Sequence, residues 1–511
     1  MKSYFTILLS CLFLMTGLLT CQSLEENPAG TLVRESFFKT TADLEAAVNA
    51  VYKSLADDAW GGFGSNGLWP PLQAGDDLCN PNGGNVFDTF RANDLTTSMF
   101  WNRCYLVIRE ACNVIENCQE ISGNENYINS KIAEAHFLRA FTYFWLVRLY
   151  GAIPIVEMKI NYEITLSPVS EVYALIVDDL KFAINHLPQA RGNYDGHPSV
   201  SSARALLGQV YLTMAGWPLK KTEYYALAAA EAKAVIESGE YALMDDFLDL
   251  LIEETRDNCI EIVWSIQYCN FPDCGTWQRS TMIGLNCMPP EEGGWGGQMA
   301  EVGFYNRFPD NYRKEQTFHT VFEKREYVGG PIIEYVPFET SINKHPYYKK
   351  FRHGYVQGER KEDGYPADYN LDSDHMGGFD LNYLRYAEVL LMYAEAQCMS
   401  EGGPNQMAYD CINAVRKRAN KGEPDDLTPG LSQIDFRNEV IDERGWEFAM
   451  EYCRWFDLVR TEKVEEMMAL KDQEVDFLPV NPPTKDRWLM PVPESERRLN
   501  PLLANKVDPS L

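Results

Sequence analysis

Apolar residues recur at three- and four-residue spacing through most of this chain, and the places where that rhythm stops divide it into segments. In residues 131–154 the small and apolar positions Ala133, Phe137, Ala140, Phe144, Val147 and Tyr150 line one face, which predicts an amphipathic helix with that face buried. Gly151 ends it, and Pro154 prevents a restart within the next turn. The same period predicts a helix over 41–55, capped by Thr40 or Thr41, with Leu44, Ala47, Val48, Val51 and Leu55 facing inward. Further helices are expected over about 97–120, 127–150, 170–187, 199–216 and 222–238, and again over about 384–400, 405–419, 431–451 and 452–461. Between 245 and 380 the pattern changes. Glu261–Gln267 and Pro331–Pro337 read as strands set among Gly-rich loops. Residues 57–94, rich in Gly, Asn, Pro and aromatics, are too long for a simple connection and are expected to be functional or mobile.

Leu207-Gly208-x-x-Tyr211 matches the first-helix pattern of a tetratricopeptide repeat, with Ala228 and Ala232 on the following helix. The spacing is irregular, so these are degenerate repeats. Longer matches carry a family resemblance. Ala133-Glu-Ala-x-Phe-Leu-Arg-Ala-Phe-x-Tyr-Phe144, closing on Leu149-Tyr-Gly-x-x-Pro154, resembles the signature helix of the SusD/RagB family. Arg385-Tyr-Ala-Glu-Val-Leu-Leu-Met-Tyr-Ala-Glu-Ala396 resembles its second signature helix, and Ile412-Asn-Ala-Val-Arg-Lys-Arg-Ala419 the helix after that. The block from Glu443-Arg444-x-x-Glu447 to Asp457-Leu-Val-Arg460 and the closing Asn500-Pro501-Leu502 are also similar to family motifs. The resemblance spans essentially the whole mature chain. It implies a mostly α fold in which degenerate tetratricopeptide-like helix pairs form a superhelical scaffold, packed with a loop-rich region carrying short β-strands. It further implies a TPR-like region over 21–240 and a region with the ligand-binding loops over 241–511, the two packed as one globular unit.

The first twenty residues read as an address. Lys2 precedes an apolar run from Tyr4 to Leu19, too short for a stable span and suited to a secretory signal. The run ends Leu18-Leu19-Thr20-Cys21, which resembles the lipobox where bacterial signal peptidase leaves an acylated Cys21; Thr20 departs from the usual small residue. Several acyl chains anchor durably at about 0.8 kcal/mol per buried CH₂. Glu25 and Glu26 are either a short acidic surface-export tract or a polar tether.

The 511 residues hold 46 basic and 74 acidic side chains, a net charge of −28, which argues against nucleic acid or an anionic membrane surface as partner. A neutral sugar is indifferent to it. Of 13 cysteines, Cys11 leaves with the signal and Cys21 is the lipidation site, so 11 remain and at least one cannot pair internally. There is no C-x-x-C pair, no H-x-H or H-E-x-x-H spacing among seven histidines, no G-x-S-x-G elbow and no phosphate loop, so neither a metal nor a cofactor is expected. Asp372-x-Asp374 lacks the rest of a calcium loop. The acidic pairs Asp76-Asp77 and Glu291-Glu292 invite a glycosidase reading, which needs two carboxylates about 5–9 Å apart across a sugar.

Binding is the better expectation. Sugars pack C–H faces on aromatic rings and hydrogen-bond through their hydroxyls. Two loop regions offer both: Trp60, Trp69, Asp76 and Asn80 in the first, Trp277, Arg279, Trp295 and Tyr305 in the second. Each loop aromatic either meets ligand or packs under its own loop. Trp101, Trp145, Trp446 and Trp455 are expected in the core, and Glu134, Arg139, Arg385, Glu388, Arg444 and Glu447 as buried structural pairs. The resemblance implies an outer-membrane lipoprotein that binds a glycan and delivers it to a SusC-like TonB-dependent transporter; the alternatives are a peptide or glycopeptide ligand on the same fold, and a secreted glycoside hydrolase.

Overall fold

A computed structural model of the chain describes residues 38–56, 63, 73–80, 95–118, 121–157, 164–189, 196–251, 259–268, 287–326, 331–350, 380–451, 453–478 and 483–504. Six long helices come first: α1 (Thr41–Ala56), α2 (Leu95–Asn117), α3 (Glu125–Tyr150), α4 (Val169–His186), α5 (Val200–Ala215) and α6 (Tyr224–Ser238). The expected helix ends hold to within about a turn, the largest difference being the helix expected to run to 451, which ends at Glu447, and the caps explain two of the N-termini. Thr40 caps α1 in a reciprocal arrangement, its N–H donating to Asp43 Oδ2 at 2.8 Å while Asp43 N–H donates to Thr40 Oγ1 at 3.3 Å. α3 starts two residues early because the Asn124 carboxamide accepts from the N–H groups of Asn126 and Tyr127. Gly151 closes α3 at φ 73°, as its position past the last apolar residue predicts.

Consecutive helices pack on one another, α2 on α3, α3 on α4, α4 on α5 and α5 on α6, as a tetratricopeptide-like array requires. The strand-bearing middle holds two short helices, α7 (Val302–Arg307) and α8 (Tyr312–Thr317), and after it the helical pattern resumes with α9 (Tyr386–Glu401), α10 (Gln406–Ala419), α11 (Gln433–Glu447) and α12 (Arg454–Arg460). α9 lies against α6 and α5, so the array continues across the middle of the chain. Gly208 permits that approach: a Cβ there would stand 3.0 Å from the Met392 side chain of α9. Among the described residues the eight strands pair only in twos. β1 (Leu78–Cys79) pairs with β3 (Met299–Ala300), and β2 (Ile262–Ile266) with β8 (Leu381–Arg385). β4 (Phe318–His319) pairs with β7 (Tyr347–Tyr348), and β5 (Val321–Arg325) with β6 (Ile332–Pro337), all antiparallel.

One apolar cluster runs from Leu44 to Leu503 and takes residues from both halves. At its centre Phe63, Phe100, Phe141 and Trp145 meet mostly edge to face, with Tyr383 and Phe456 arriving from the second half. Trp101, Trp145 and Trp455 are buried as expected; Trp446 is half-buried on Phe304 and Phe308. The Pro-rich tail returns over the first half, where Met490 N–H donates to Leu149 O at 2.7 Å and the Asn500 carboxamide to Ile164 O at 2.7 Å.

The signature helices supply charge as well as apolar surface, and the structure buries it in pairs. Glu447 accepts from Arg313 at 2.8 Å, from Arg385 at 2.9 Å and from Arg418. Arg385 and Arg418 also share Glu261, at 2.6 and 2.9 Å, Arg313 reaches Glu443, and Lys350 and Arg385 share Glu451. Four carboxylates thus face four cations, so the cluster carries no net charge. Burial would raise the Glu447 carboxyl, but the guanidinium groups of Arg418, Arg385 and Arg313 outweigh it and hold it low. In a second cluster Arg444 joins Asp457 and Glu388, while Arg460 joins Asp457 and Glu395. Arg139 pairs with Asp179, and Glu134 with Lys131 and His197.

Breaking a buried pair leaves a charge uncompensated, which costs about 3–5 kcal/mol. Glu447→Gln and Phe144→Ala should therefore each lower unfolding stability by about 3–5 kcal/mol in urea titrations. Glu237→Gln, at the exposed Lys233–Glu237 pair, should change it by less than about 0.5 kcal/mol. Equal shifts for all three would contradict this division between interior and surface.

Candidate ligand-binding surface

Among the described residues, Trp295 is the sequence-selected aromatic with most of its surface exposed, 56% of it. It sits in a turn whose ends are fixed. The 3₁₀ turn Pro290–Glu292 precedes it, Gly293 N–H donates to Pro290 O at 3.0 Å and Gly296 N–H to Met288 O at 2.9 Å. Both glycines are left-handed, at φ 87° and 64°, conformations that a side chain resists. Below the turn, Glu292 is buried and accepts from the Glu323 N–H at 3.0 Å, with His319 Nε2 at 2.6 Å. Glu291 accepts from the Ile342 N–H at 2.7 Å. The indole therefore stands on a braced base.

Other exposed apolar side chains come from segments bound to that base. Ile342 is 72% exposed, and on β6 Ile333 and Tyr335 project from one side of the strand into solvent. The hairpin of β5 and β6 packs against the 3₁₀ turn below Trp295. The sequence analysis did not single out Ile333, Tyr335 or Ile342. Residues 331–337 carry apolar groups on both faces of the strand, so alternation alone does not say which face meets solvent.

The remaining sequence candidates have different fates. Asp76 is unavailable to a ligand: it is buried, with Arg454 donating to it at 2.6 and 3.1 Å and Arg307 at 2.8 Å. Its loop is rich in Gly and Asn and reads as exposed, but the segment 73–80 folds under the C-terminal helices. Tyr305 is half-buried on α7, edge-on to Phe318 and Phe338, with the Lys314 ammonium 4.5 Å from its ring centroid. That leaves little ring face for a sugar. Asn80 is half-buried at the end of β1. Trp60, Trp69, Trp277, Arg279 and Cys21 lie outside the described residues.

A separate cavity of about 220 Å³ lies between α1 and β2, lined by Asn49, Tyr52, His197, Trp264, Ser265 and Gln267 among others. It is smaller than the 300–1,000 Å³ typical of small-molecule sites. The acidic pairs proposed as glycosidase acids serve the fold. Asp76 is held by arginines, Asp77 accepts from the Met450 N–H, and Glu291 and Glu292 brace the Trp295 turn. The nine described cysteines are unbridged.

Comparison with known proteins settles the family. Residues 260–508 match the model described as the SusD family, and residues 33–212 a model described as starch-binding associating with outer membrane. A SusD-like protein of Formosa agariphila is 30% identical over 492 residues, covering 90% of this chain and 91% of that protein. The chain belongs to the SusD family. A SusD-like protein of Bacteroides ovatus is 26% identical over 470 residues, 85% of this chain and 78% of that protein. Among solved structures, a SusD superfamily protein from Parabacteroides distasonis superposes with a TM-score of 0.75 at 24% identity, covering 90% of this chain and 98% of that one. A surface glycan-binding protein A from Bacteroides thetaiotaomicron, solved with laminarihexaose, superposes with a TM-score of 0.72 at 20% identity over 93% and 100% of the two chains. These superpositions bear out the mostly helical, tetratricopeptide-like fold.

Asp77 of this SusD-family chain gives a pH test of the buried loop. Burial and the neighbouring Asp76 push its carboxyl up to about 6 from 3.8. A raised folded value means that the stability Asp77 contributes is present below about pH 4 and lost as pH rises through 6, a change of about 3 kcal/mol. Asp77→Asn keeps an oxygen for the Met450 N–H and removes the titration. Its melting temperature should exceed that of the unmodified chain above pH 6, and the gap should shrink steadily toward pH 4. A gap independent of pH would refute the assignment.

Proposed function

We propose that this protein is a cell-surface lipoprotein, anchored through Cys21, that binds oligosaccharide and delivers it to a SusC-like TonB-dependent outer-membrane transporter. The observation that carries the reading is the similarity to SusD-like proteins along nearly the full chain, with 90% of it aligned at 30% identity. The outer-membrane and starch-binding description of the matching family model supports it, as does the laminarihexaose complex of a protein with the same fold. The exposed Trp295 on its braced turn offers the flat apolar face that a pyranose ring packs against. A net charge of −28 suits a neutral ligand.

In this reading residues 21–240 act as the scaffold and 241–511 carry the binding loops. The function is capture rather than catalysis, since the adjacent carboxylates that suggested hydrolysis are engaged in the fold. No described helix is long and apolar enough to cross a membrane. In this reading the lipid on Cys21 makes the attachment. Oligosaccharides are too polar to cross a bilayer unaided, and a tethered binder therefore needs a transporter beside it.

Calorimetric titration against neutral oligosaccharides tests the binding surface. Trp295→Ala should weaken the best ligand about tenfold or more, roughly 1.4 kcal/mol, with an unchanged circular dichroism spectrum. Unaltered affinity would remove Trp295 from the site. In cells lacking the transporter, Cys21→Ala should move the protein from the membrane to the soluble fraction, and membrane retention of that variant would exclude lipid anchoring. The lipidated protein, pulled down in mild detergent, should bring a large β-barrel in near-equal amount across an interface of well over 1,000 Å².

A further inference from the structure

The strand pairing of β1 with β3 brings Cys79 against side chains that lie more than two hundred positions later in the sequence. Cys79 on β1, Glu301 at the start of α7 and His345 before β7 are 4%, 0% and 1% exposed. Each offers one ligand atom, and the three atoms lie within 4.8 Å of one another. A fourth group, the Asp476 carboxylate, stands 3.4 Å from His345 Nε2. Tetrahedral zinc, with bonds of about 2.0–2.3 Å, holds its ligand atoms roughly 3.3–3.8 Å apart, so closing the Cys79, Glu301 and His345 set needs movements of about an ångström, with Asp476 adjoining it through His345.

The hydrogen bonds around the cluster leave lone pairs pointing into it. His345 Nδ1 lies 2.6 Å from the Asn343 carbonyl and must be the N–H that donates there. In the neutral imidazole that fixes Nε2 as the bare nitrogen, the arrangement that orients metal-binding histidines. Nε2 makes no hydrogen bond, although it faces a carboxylate oxygen. Oε2 of Glu301 is also buried without a partner, while its Oε1 is held by Lys471. Asp476 is positioned by the N–H groups of Val302, Gly303 and Asp472. Three buried acceptor groups meet only one ammonium, that of Lys471, so the cluster has room for further positive charge.

We propose that Cys79, Glu301 and His345, with Asp476 as the fourth ligand, form a structural site for a divalent transition metal, zinc by the chemistry of its donors. A thiolate beside imidazole and carboxylate selects zinc over magnesium or calcium. The ligands come from four separated segments and close the site on all sides, which is the structural rather than the catalytic arrangement. Charge balances: a thiolate and two carboxylates against the metal and the Lys471 ammonium. In the metal-free protein at neutral pH the same balance requires a proton on Cys79 Sγ and one on Glu301. Burial favours both, raising the thiol well above its usual range and the Glu301 carboxyl to about 8. Metal entry therefore breaks one S–H and one O–H bond, forms metal–sulfur and metal–oxygen bonds, and releases two protons to solvent.

The test uses the full mature chain, stripped with EDTA and desalted. Added zinc should bind at one per chain, and its apparent Kd should tighten about a hundredfold between pH 6 and pH 7, the signature of two released protons. Cobalt(II) in place of zinc should give a thiolate charge-transfer band and tetrahedral ligand-field bands, a readout that needs no variant. Cys79→Ser should abolish the charge-transfer band and His345→Gln should lose stoichiometric zinc, whereas Cys411→Ala should retain both. Substoichiometric zinc, binding that varies little with pH, or an unmetallated imidazolium–Asp476 pair seen by NMR in the presence of excess zinc would overturn the proposal.

Discussion

A carboxylate taken out of water must be met by cations at once, and Glu447 shows what that demands of this chain. Its partners come from α8, the end of β8 and α10, and each of them is itself shared with another carboxylate. No member can shift without leaving an uncompensated charge in the interior, a cost of several kcal/mol against a total stability of about 5–15. The alternative of exposing the cluster is closed by the apolar residues around it. Arg385 stacks over Phe448 with its carbon 4.7 Å from the ring centroid, and Arg418 and Lys350 lie over Phe247. The cluster acts less as glue than as a register, since only one arrangement of strands and helices brings every partner within reach.

That register explains how a protein whose described sheets are only two-stranded keeps a defined middle region. The strands between 245 and 380 pair two at a time and cannot stand alone. They are fixed from outside. Glu261 leads into β2 and is held by Arg385 and Arg418, Arg385 ends β8, and Lys350 follows β7 and is held by Glu451, so each of these strands is flanked by a member of the buried cluster. The apolar core does the corresponding work between halves, with Tyr383 of β8 lying 4.7 Å from Phe141 of α3 and accepting from Arg148 at 2.9 Å. The helices supply rigidity and the charges supply position.

Much of this was legible in the sequence where the determinant is local. Helical period, Asn124 and Thr40 caps and the Gly151 stop act over a few residues, and they placed the helices to within a turn. The motif helices also announced that Arg385, Glu388, Arg444 and Glu447 are buried, because charges embedded among Leu, Val and Ala at core spacing have nowhere else to go. Their partners were not legible. Asp76 and Arg454 are separated by 378 positions, and nothing around Asp76 distinguishes an acid folded beneath a helix from one waving in a loop. The Cys79, Glu301 and His345 cluster is hidden for the same reason, since spacing motifs detect ligands on one element and these arrive on several. Trp295 was legible because its turn is local, and Ile333, Tyr335 and Ile342 were not because their exposure is decided by what the hairpin packs against.

The division between register and surface bears on what such a chain recognises. The main buried cluster balances four acids with four bases, so it accounts for none of the excess of 74 acidic over 46 basic side chains. The negative charge must lie mostly on the outside, where it repels anionic ligands over about a Debye length and leaves neutral ones unaffected. In the proposed reading, recognition then falls to flat apolar surface and hydrogen bonds rather than to charge. Trp295 meets that requirement on a turn braced by Glu291 and Glu292, neither of which belongs to the Glu447 cluster. The turn can therefore change its aromatic without disturbing the charges that hold the fold, which is the physical condition for one scaffold to serve many ligands.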